Sequence, residues 1–343
     1  MIANDEIPEP HDKDGLALIT QGMAPHLNAL DGFLREQIVA FEPEVRELVE
    51  FCLQRSGKRI RPILLFLCGE CEKQDPSQIR AAAVLEMVHL ATLVHDDILD
   101  EADLRHGLPT ISHKYGAQNA VLLGDALFAH AVHLSAQFPD TTVCRLVSQA
   151  TRTVCSGEIA QSARKDFELI TKETYYRLIQ MKTAELFRVA CHLGAFLQGH
   201  PEETVKAVSE YGNHLGIGYQ IYDDLADFFG EEAKVGKTLG TDWASGKITL
   251  PVLLYLQEYP PGERQQLLAE ARQGGAKVLG NWREAMQEKG IFETVAQAVD
   301  EEITKGEKAL GKHAGEMPAL NLLPLGEFLR QKVQKLRPSF AVI

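Results

Sequence analysis

No apolar stretch in the chain approaches the roughly 20 residues needed to span a bilayer. The opening MIANDEIPEPHDKDG also lacks the basic start and apolar core of a signal peptide. Residues 1–14 are therefore expected to be a disordered leader, with residues 15–343 forming a cytoplasmic domain. Positive charge is scarce: 35 Lys and Arg face 48 Asp and Glu, a net charge of −13. Such a chain is ill suited to nucleic acid or an anionic membrane. An anionic substrate would be repelled by the overall field, so binding one requires a local cluster of Lys, Arg or metal ions. Cysteines are few and scattered, at positions 52, 68, 71, 144, 155 and 191. Cys68 and Cys71 spell CxxC, but no second ligand pair stands at a spacing suited to zinc. The pair lies in an apolar helical stretch and reads as free thiols on a core helix.

Alternating strand patterns are missing too, as are internal repeats and low-complexity tracts. What is present is helical spacing, as in Ile79, Ala83, Leu85, Val88 and Leu93, or Leu178, Met181, Leu186 and Val189. Gly57, Pro62, Gly107, Pro109, Gly230 and Pro251 fall at plausible helix ends. The fold class is all-α, with about a dozen helices. The more polar stretch 256–290 reads as peripheral helices joined by loops. No linker divides the 343 residues, 45% of them hydrophobic, and one large domain with a substantial core is expected.

Two segments carry DDxxD: Asp96-Asp97-Ile98-Leu99-Asp100 and Asp223-Asp224-Leu225-Ala226-Asp227. On a helix, Asp96 stacks with Asp100 and Asp223 with Asp227, one turn apart. Like charges at that spacing repel, and carboxylates in an apolar stretch are costly. A cation between them resolves both problems. Oxygen-only ligands favour a hard ion, and Mg²⁺ typically adds water and substrate phosphates to one or two carboxylates. One such motif is often only an acidic helix face; two in apolar helices point to a diphosphate held through metal.

Cations accompany them. Gly57-Lys58-Arg59-Ile60-Arg61-Pro62 precedes an apolar helix, with Pro62 suited to its first turn. Three basic side chains at a helix N-terminus make a natural anion site. Arg105 and His106 follow the first motif where its helix should end, within reach of a phosphate held there. Gly236-Lys237-Thr238 and Gly246-Lys247 follow the second. Lys182-Thr183 sits alone in a helix and would by itself be surface decoration. His89 lies two turns before Asp96 on the same face, although a lone histidine in an apolar helix is usually a core residue. His95 points about 100° from Asp96, which suits helix packing. His130 and His133 read as structural.

These segments resemble the trans-prenyl diphosphate synthases, or polyprenyl synthetases. The matching stretches are GKRIRP (57–62), EMVHLATLVHDDILDEADLRHG (86–107), GDALF (124–128), MKTAELF (181–187) and GYQIYDDLADFFG with GKTLGTD and GKITLP (218–251). The resemblance implies an isoprenoid synthase fold, a single helical bundle around a central cavity, usually as a homodimer. It implies condensation of isopentenyl diphosphate, head to tail, with an allylic diphosphate, with three Mg²⁺ ions. By this likeness Asp96, Asp100 and Asp223 are metal ligands, supported by Asp97, Asp224 and Asp227. Lys58, Arg61 and His89 hold isopentenyl diphosphate. Arg105, Lys182, Thr183, Gln220, Lys237 and Lys247 contact the allylic substrate. The family usually has a second arginine where His106 stands, so weaker or more pH-sensitive isopentenyl diphosphate binding is expected.

Thr92 lies one turn below Asp96, with Ala91 beside it. Short-chain relatives tend to carry an aromatic residue there, and many bacterial farnesyl diphosphate synthases have an insertion in the first motif. Both differences suggest a product longer than C15. Phe128 is a candidate tunnel floor or a core filler. The alternatives are a farnesyl or geranylgeranyl diphosphate synthase, a terpene cyclase, a non-catalytic subunit, or an HD-type phosphohydrolase. The basic GKRIRP site argues against a cyclase, the two intact aspartate motifs against an inert subunit, and the lack of further His and Asp ligands against a phosphohydrolase.

Overall fold

The computed structural model describes residues 16–54, 57–69, 74–105, 107–164, 170–230, 240–244, 246–315 and 318–337. Helices α1 (Leu16–Ile38), α2 (Pro43–Leu53), α3 (Ile60–Gly69) and α4 (Pro76–Leu99) come first. A two-residue antiparallel ribbon follows, β1 (Leu104–Arg105) with β2 (Leu108–Pro109). Next are α5 (Ile111–Tyr115), α6 (Ala117–Ser135), α7 (Thr142–Ser162) and α8 (Lys172–Ile179). α8 passes through a π-helical turn (Gln180–Ala184) into α9 (Glu185–Leu197). The chain ends with α10 (Glu202–Phe229), α11 (Thr241–Ala244), α12 (Leu250–Gln257), α13 (Pro261–Glu288), α14 (Ile291–Leu310), a 3-10 turn (Gly311–His313) and α15 (Ala319–Lys335). The class is all-α, as expected.

Helices α4 and α10, which carry the aspartate motifs, are the central members. α4 begins at Asp75-Pro76-Ser77, where the Asp75 carboxylate accepts from the Ser77 backbone N–H at 2.7 Å and Pro76 opens the first turn. It then packs against α1, α3, α6, α7 and α9, and nearly every residue from Gln78 to Ala91 is buried. A helix apolar on most of its surface belongs in the middle of a bundle. α10 packs likewise against α9, α12, α14 and α15. α3 buries every residue from Pro62 to Gly69. The C-terminal helix closes the bundle: the Tyr211 hydroxyl donates to the Leu322 carbonyl at 2.9 Å, and the Asn321 amide to the Leu67 carbonyl at 3.2 Å.

Two expectations change. The stretch 256–290 is not several short helices, since α13 runs unbroken from Pro261 to Glu288. Leu268, Ala271, Trp282 and Met286 are buried at helical spacing, and that stripe outweighs the roughly 1 kcal/mol cost of each glycine in a helix. The helix bearing the first motif ends at Leu99 rather than running toward Gly107. Glu101 (φ +50) and Gly107 (φ +74) turn the backbone into the ribbon instead. Cys68 is a buried thiol on α3, in no disulfide, whereas Cys71 and the proposed leader lie outside the described residues. No helix among the described residues is long and apolar enough to cross a membrane.

Candidate active site

The first aspartate segment closes the C-terminal turn of α4. Asp97 is buried and accepts a 2.7 Å hydrogen bond from Arg105 Nε on β1. The ribbon thus brings Arg105 to the motif, which the sequence had placed along a continuing helix. Asp100 accepts from Lys247 Nζ at 2.8 Å, joining this segment to the chain that follows the second motif. Asp96 lies between these contacts. Its carboxyl is pushed up to about 6, first by burial and then by the Glu158 carboxylate, with Lys182 and Lys247 offsetting part of the rise.

The second segment lies at the C-terminal end of α10. Both oxygens of Asp224 are engaged by side-chain donors: the Tyr175 hydroxyl at 2.5 Å and Gln220 Nε2 at 2.8 Å. Burial pushes the Asp224 carboxyl up, as does Asp242, against the lowering effect of these two bonds. Asp227 is buried and accepts from the Asp242 backbone N–H at 3.3 Å. Asp223 is half-buried.

Lys182 and Thr183 are placed by the π-helical turn. Such turns widen a helix by one residue and recur at functional sites. Here the turn presses on α10, where a Cβ on Gly216 would stand 2.6 Å from the Ala184 Cα. Lys182 Nζ lies 2.6 Å from Glu158 and 2.5 Å from Gln161, both on α7. The Thr183 hydroxyl donates to Gln220 Oε1 at 2.7 Å. Glu158, Gln161 and Tyr175 were not singled out from sequence. Each is an isolated polar residue on an otherwise ordinary helix, and only the fold brings it to the motifs.

The basic segment makes a second cluster. Lys58 is exposed before α3. Arg59 is not a spare cation as the sequence implied: at φ +51 it pairs with Asp31 at 2.9 Å and with buried Glu86 at 2.8 Å. Arg61 differs. Its Nε is buried without a hydrogen-bond partner among the described residues, and its guanidinium lies over the Phe187 ring at 5.3 Å. Burial lowers its pKa, with Glu86 acting in the opposite direction. His89 is held well below its ordinary pKa by burial and then by Arg61, Arg105 and Arg59. A guanidinium with an unsatisfied N–H beside a histidine and further arginines suits a bound anion.

The carboxylates fit a hard divalent cation. They are oxygen donors from two helices, and burial among like charges resists the ionisation of Asp96. No group of three acidic, His or Cys ligands among the described residues forms a ready metal cage.

Three further positions bear on product size. Ala91 is fully buried. Thr92 is half-buried, its hydroxyl donating to the His89 carbonyl at 2.7 Å. Phe128 on α6 packs 5.8 Å from the His95 ring. His95 faces α6, with Nε2 3.1 Å from the Val121 carbonyl, and His130 packs on Phe41 at 4.6 Å. His106 and Lys237 lie outside the described residues.

Residues 42–287 match the polyprenyl synthetase family. The chain belongs to that family. The synthetase is 37% identical over 244 residues to heptaprenyl diphosphate synthase component 2 of Geobacillus stearothermophilus, covering 68% of this chain and 76% of that protein. It is 31% identical over 297 residues to octaprenyl diphosphate synthase of Escherichia coli, covering 86% and 92% respectively. Its fold is similar to a polyprenyl synthase from Caulobacter crescentus complexed with calcium and isoprenyl diphosphate, with a TM-score of 0.84 and 26% identity over 94% of this chain and 99% of that one. The synthetase has the isoprenoid synthase fold and is a prenyltransferase. Its family uses a divalent metal, isopentenyl diphosphate and an allylic diphosphate.

Proposed function

We propose that this synthetase condenses isopentenyl diphosphate head to tail with an allylic diphosphate, giving an all-trans polyprenyl diphosphate longer than C15. The observation that carries this reading is the pairing of two anion sites. One is the carboxylate cluster around Asp96 and Asp223; the other is the basic cluster of Arg61 and His89 with Lys58. A cyclase or hydrolase has no use for the second.

Asp96, Asp100 and Asp223 would hold three Mg²⁺ ions, with Asp97, Asp224 and Asp227 supporting; when bound, these supply positive charge to the departing diphosphate. Arg105, Lys182, Lys237 and Lys247 bind and orient that diphosphate, and draw negative charge from the allylic carbon as its C–O bond breaks. Thr183 turns its hydroxyl oxygen toward the resulting cation, held in place by its hydrogen bond to Gln220. Lys58, Arg61, His89 and His106 hold isopentenyl diphosphate so that its double bond lies beside the cation, where proximity lowers the barrier. The released diphosphate is the nearest base for the final proton. Ala91 and Thr92 leave room for the growing tail, and Phe128 bounds it.

We also place the enzyme as a homodimer. Val121, Leu122 and Val132 on α6 are exposed at 43%, 57% and 40%, which suits burial against a second copy. The Geobacillus relative is named as one component of its enzyme; the present reading has this chain act without a different partner.

The test is diphosphate release by the purified chain with Mg²⁺ and farnesyl diphosphate. Release that depends on isopentenyl diphosphate is expected. Release without it would replace the reading with cyclase or hydrolase chemistry, and no release would indicate a chain that needs a partner.

A further inference from the structure

Tyr175 stands apart from the residues assigned above, yet it is built into the site. It is 4% exposed, and its hydroxyl donates to Asp224 Oδ2 at 2.5 Å. Gln220 Nε2 donates to Asp224 Oδ1 at 2.8 Å, and the Thr183 hydroxyl donates to Gln220 Oε1 at 2.7 Å. The four side chains form one continuous line of hydrogen bonds from a buried phenol to a hydroxyl at the reaction centre.

The chemistry fixes the direction of that line. With Asp224 Oδ1 accepting from Gln220 Nε2, the amide nitrogen is committed to Asp224 and its oxygen faces Thr183. The Thr183 hydroxyl must then give its only proton to that oxygen. Its lone pairs are left to face outward. A freely rotating hydroxyl has no such fixed polarity, and an electron-rich oxygen aimed in one direction is what a developing carbocation needs.

The helix geometry serves the same end. Tyr175 and Thr183 lie on one continuous helix, eight residues apart. On a regular α-helix, positions eight apart are rotated by roughly 80°, which sets them at opposite edges of one face. The π-helical turn from Gln180 to Ala184 lies between them. By inserting a residue into the helical turn it rotates Thr183 back toward α10, where Gln220 and Asp224 wait. The turn and the hydrogen-bond line are parts of one arrangement.

We propose that Tyr175 is a positioning residue for prenyl transfer, acting through Asp224 and Gln220 to fix the direction of the Thr183 hydroxyl. This rests on the condensation reading above. It gives Asp224 a role distinct from that of Asp223: Asp224 orients Gln220, each of its oxygens accepting from a side-chain donor, while Asp223 would hold metal.

The experiment is a double-mutant cycle on the full chain. Tyr175→Phe, Gln220→Ala and the double variant are assayed with isopentenyl and farnesyl diphosphates, alongside their thermal midpoints. Tyr175→Phe is expected to lower kcat about tenfold, the scale of leaving one buried acceptor without its donor, with KM for isopentenyl diphosphate unchanged. In the Gln220→Ala background the same substitution is expected to have almost no further effect on kcat. Additive losses would overturn the proposal, because a merely structural tyrosine acts independently of Gln220. If Tyr175→Phe does not fold, Asp224→Asn decides: a lower kcat with an unchanged Mg²⁺ half-saturation supports the proposal, and a raised half-saturation overturns it. A wild-type enzyme that fails to condense the two substrates would instead defeat the condensation reading itself.

Discussion

The Lys247 ammonium lies 2.8 Å from the Asp100 carboxylate, so the chain after the second aspartate motif is tied directly to the end of the first. The two motifs are 123 residues apart by the numbering of Asp100 and Asp223, and this contact makes them one site. Lys247→Ala removes the tie and, on the proposed reading, a cation for the allylic diphosphate. A charge-assisted hydrogen bond contributes about 1.5–3 kcal/mol, so kcat/KM for the allylic substrate should fall about 10- to 100-fold. Steady-state assays at saturating isopentenyl diphosphate measure this, and an unchanged value would remove Lys247 from the site.

His89 gives a pH prediction. Burial and three arginines disfavour its protonated form, holding its pKa well below 6.5. Below that value the unfolded chain binds a proton that the folded one refuses, so the contribution of His89 to stability is present above pH 6.5 and is lost as pH falls. On the proposed reading, at neutral pH it would meet isopentenyl diphosphate as a neutral donor. His89→Gln keeps a neutral donor and should hold KM for isopentenyl diphosphate within about threefold, whereas His89→Ala should raise it about tenfold or more. A KM profile that breaks near pH 6.5 in the wild type and not in His89→Gln would show that the charged form binds.

Gly124 predicts a stability effect. A Cβ there would stand 2.1 Å from His95 Nε2, and the ring is anchored by its contact with the Val121 carbonyl. Gly124→Ala should cost about 1–3 kcal/mol as overpacking between α4 and α6. Adding His95→Ala should recover part of the loss. Urea unfolding of the single and double variants checks both statements; equal stability of Gly124→Ala and wild type would contradict them.

His106 stands where the family usually has a second arginine. His106→Arg should lower KM for isopentenyl diphosphate at pH 8, where histidine is almost fully neutral. No change there would show that the position does not grip that substrate.

The aspartate motifs and the basic segment were legible because each repeats a charge at a spacing that apolar helices do not otherwise tolerate. The central place of α4 and α10 followed from their apolar surroundings. Other features left no local trace. A ribbon of two-residue strands has too few positions to alternate, so Arg105 was placed on a helix that ends at Leu99. Arg59 read as a substrate cation because its partners, Asp31 and Glu86, come from other helices. α13 read as broken because Gly274 and Gly275 resemble a loop until the buried stripe from Leu268 to Met286 is seen as one face. The π-helical turn has no sequence period of its own, so the link between Tyr175 and Thr183 required the fold.

The decisive measurement is the mass of the product made by the purified enzyme from farnesyl and isopentenyl diphosphates with Mg²⁺. The two anion sites predict a polyprenyl diphosphate extended by whole C5 units beyond C15. Consumption of farnesyl diphosphate without any C5 addition would contradict the two-site condensation.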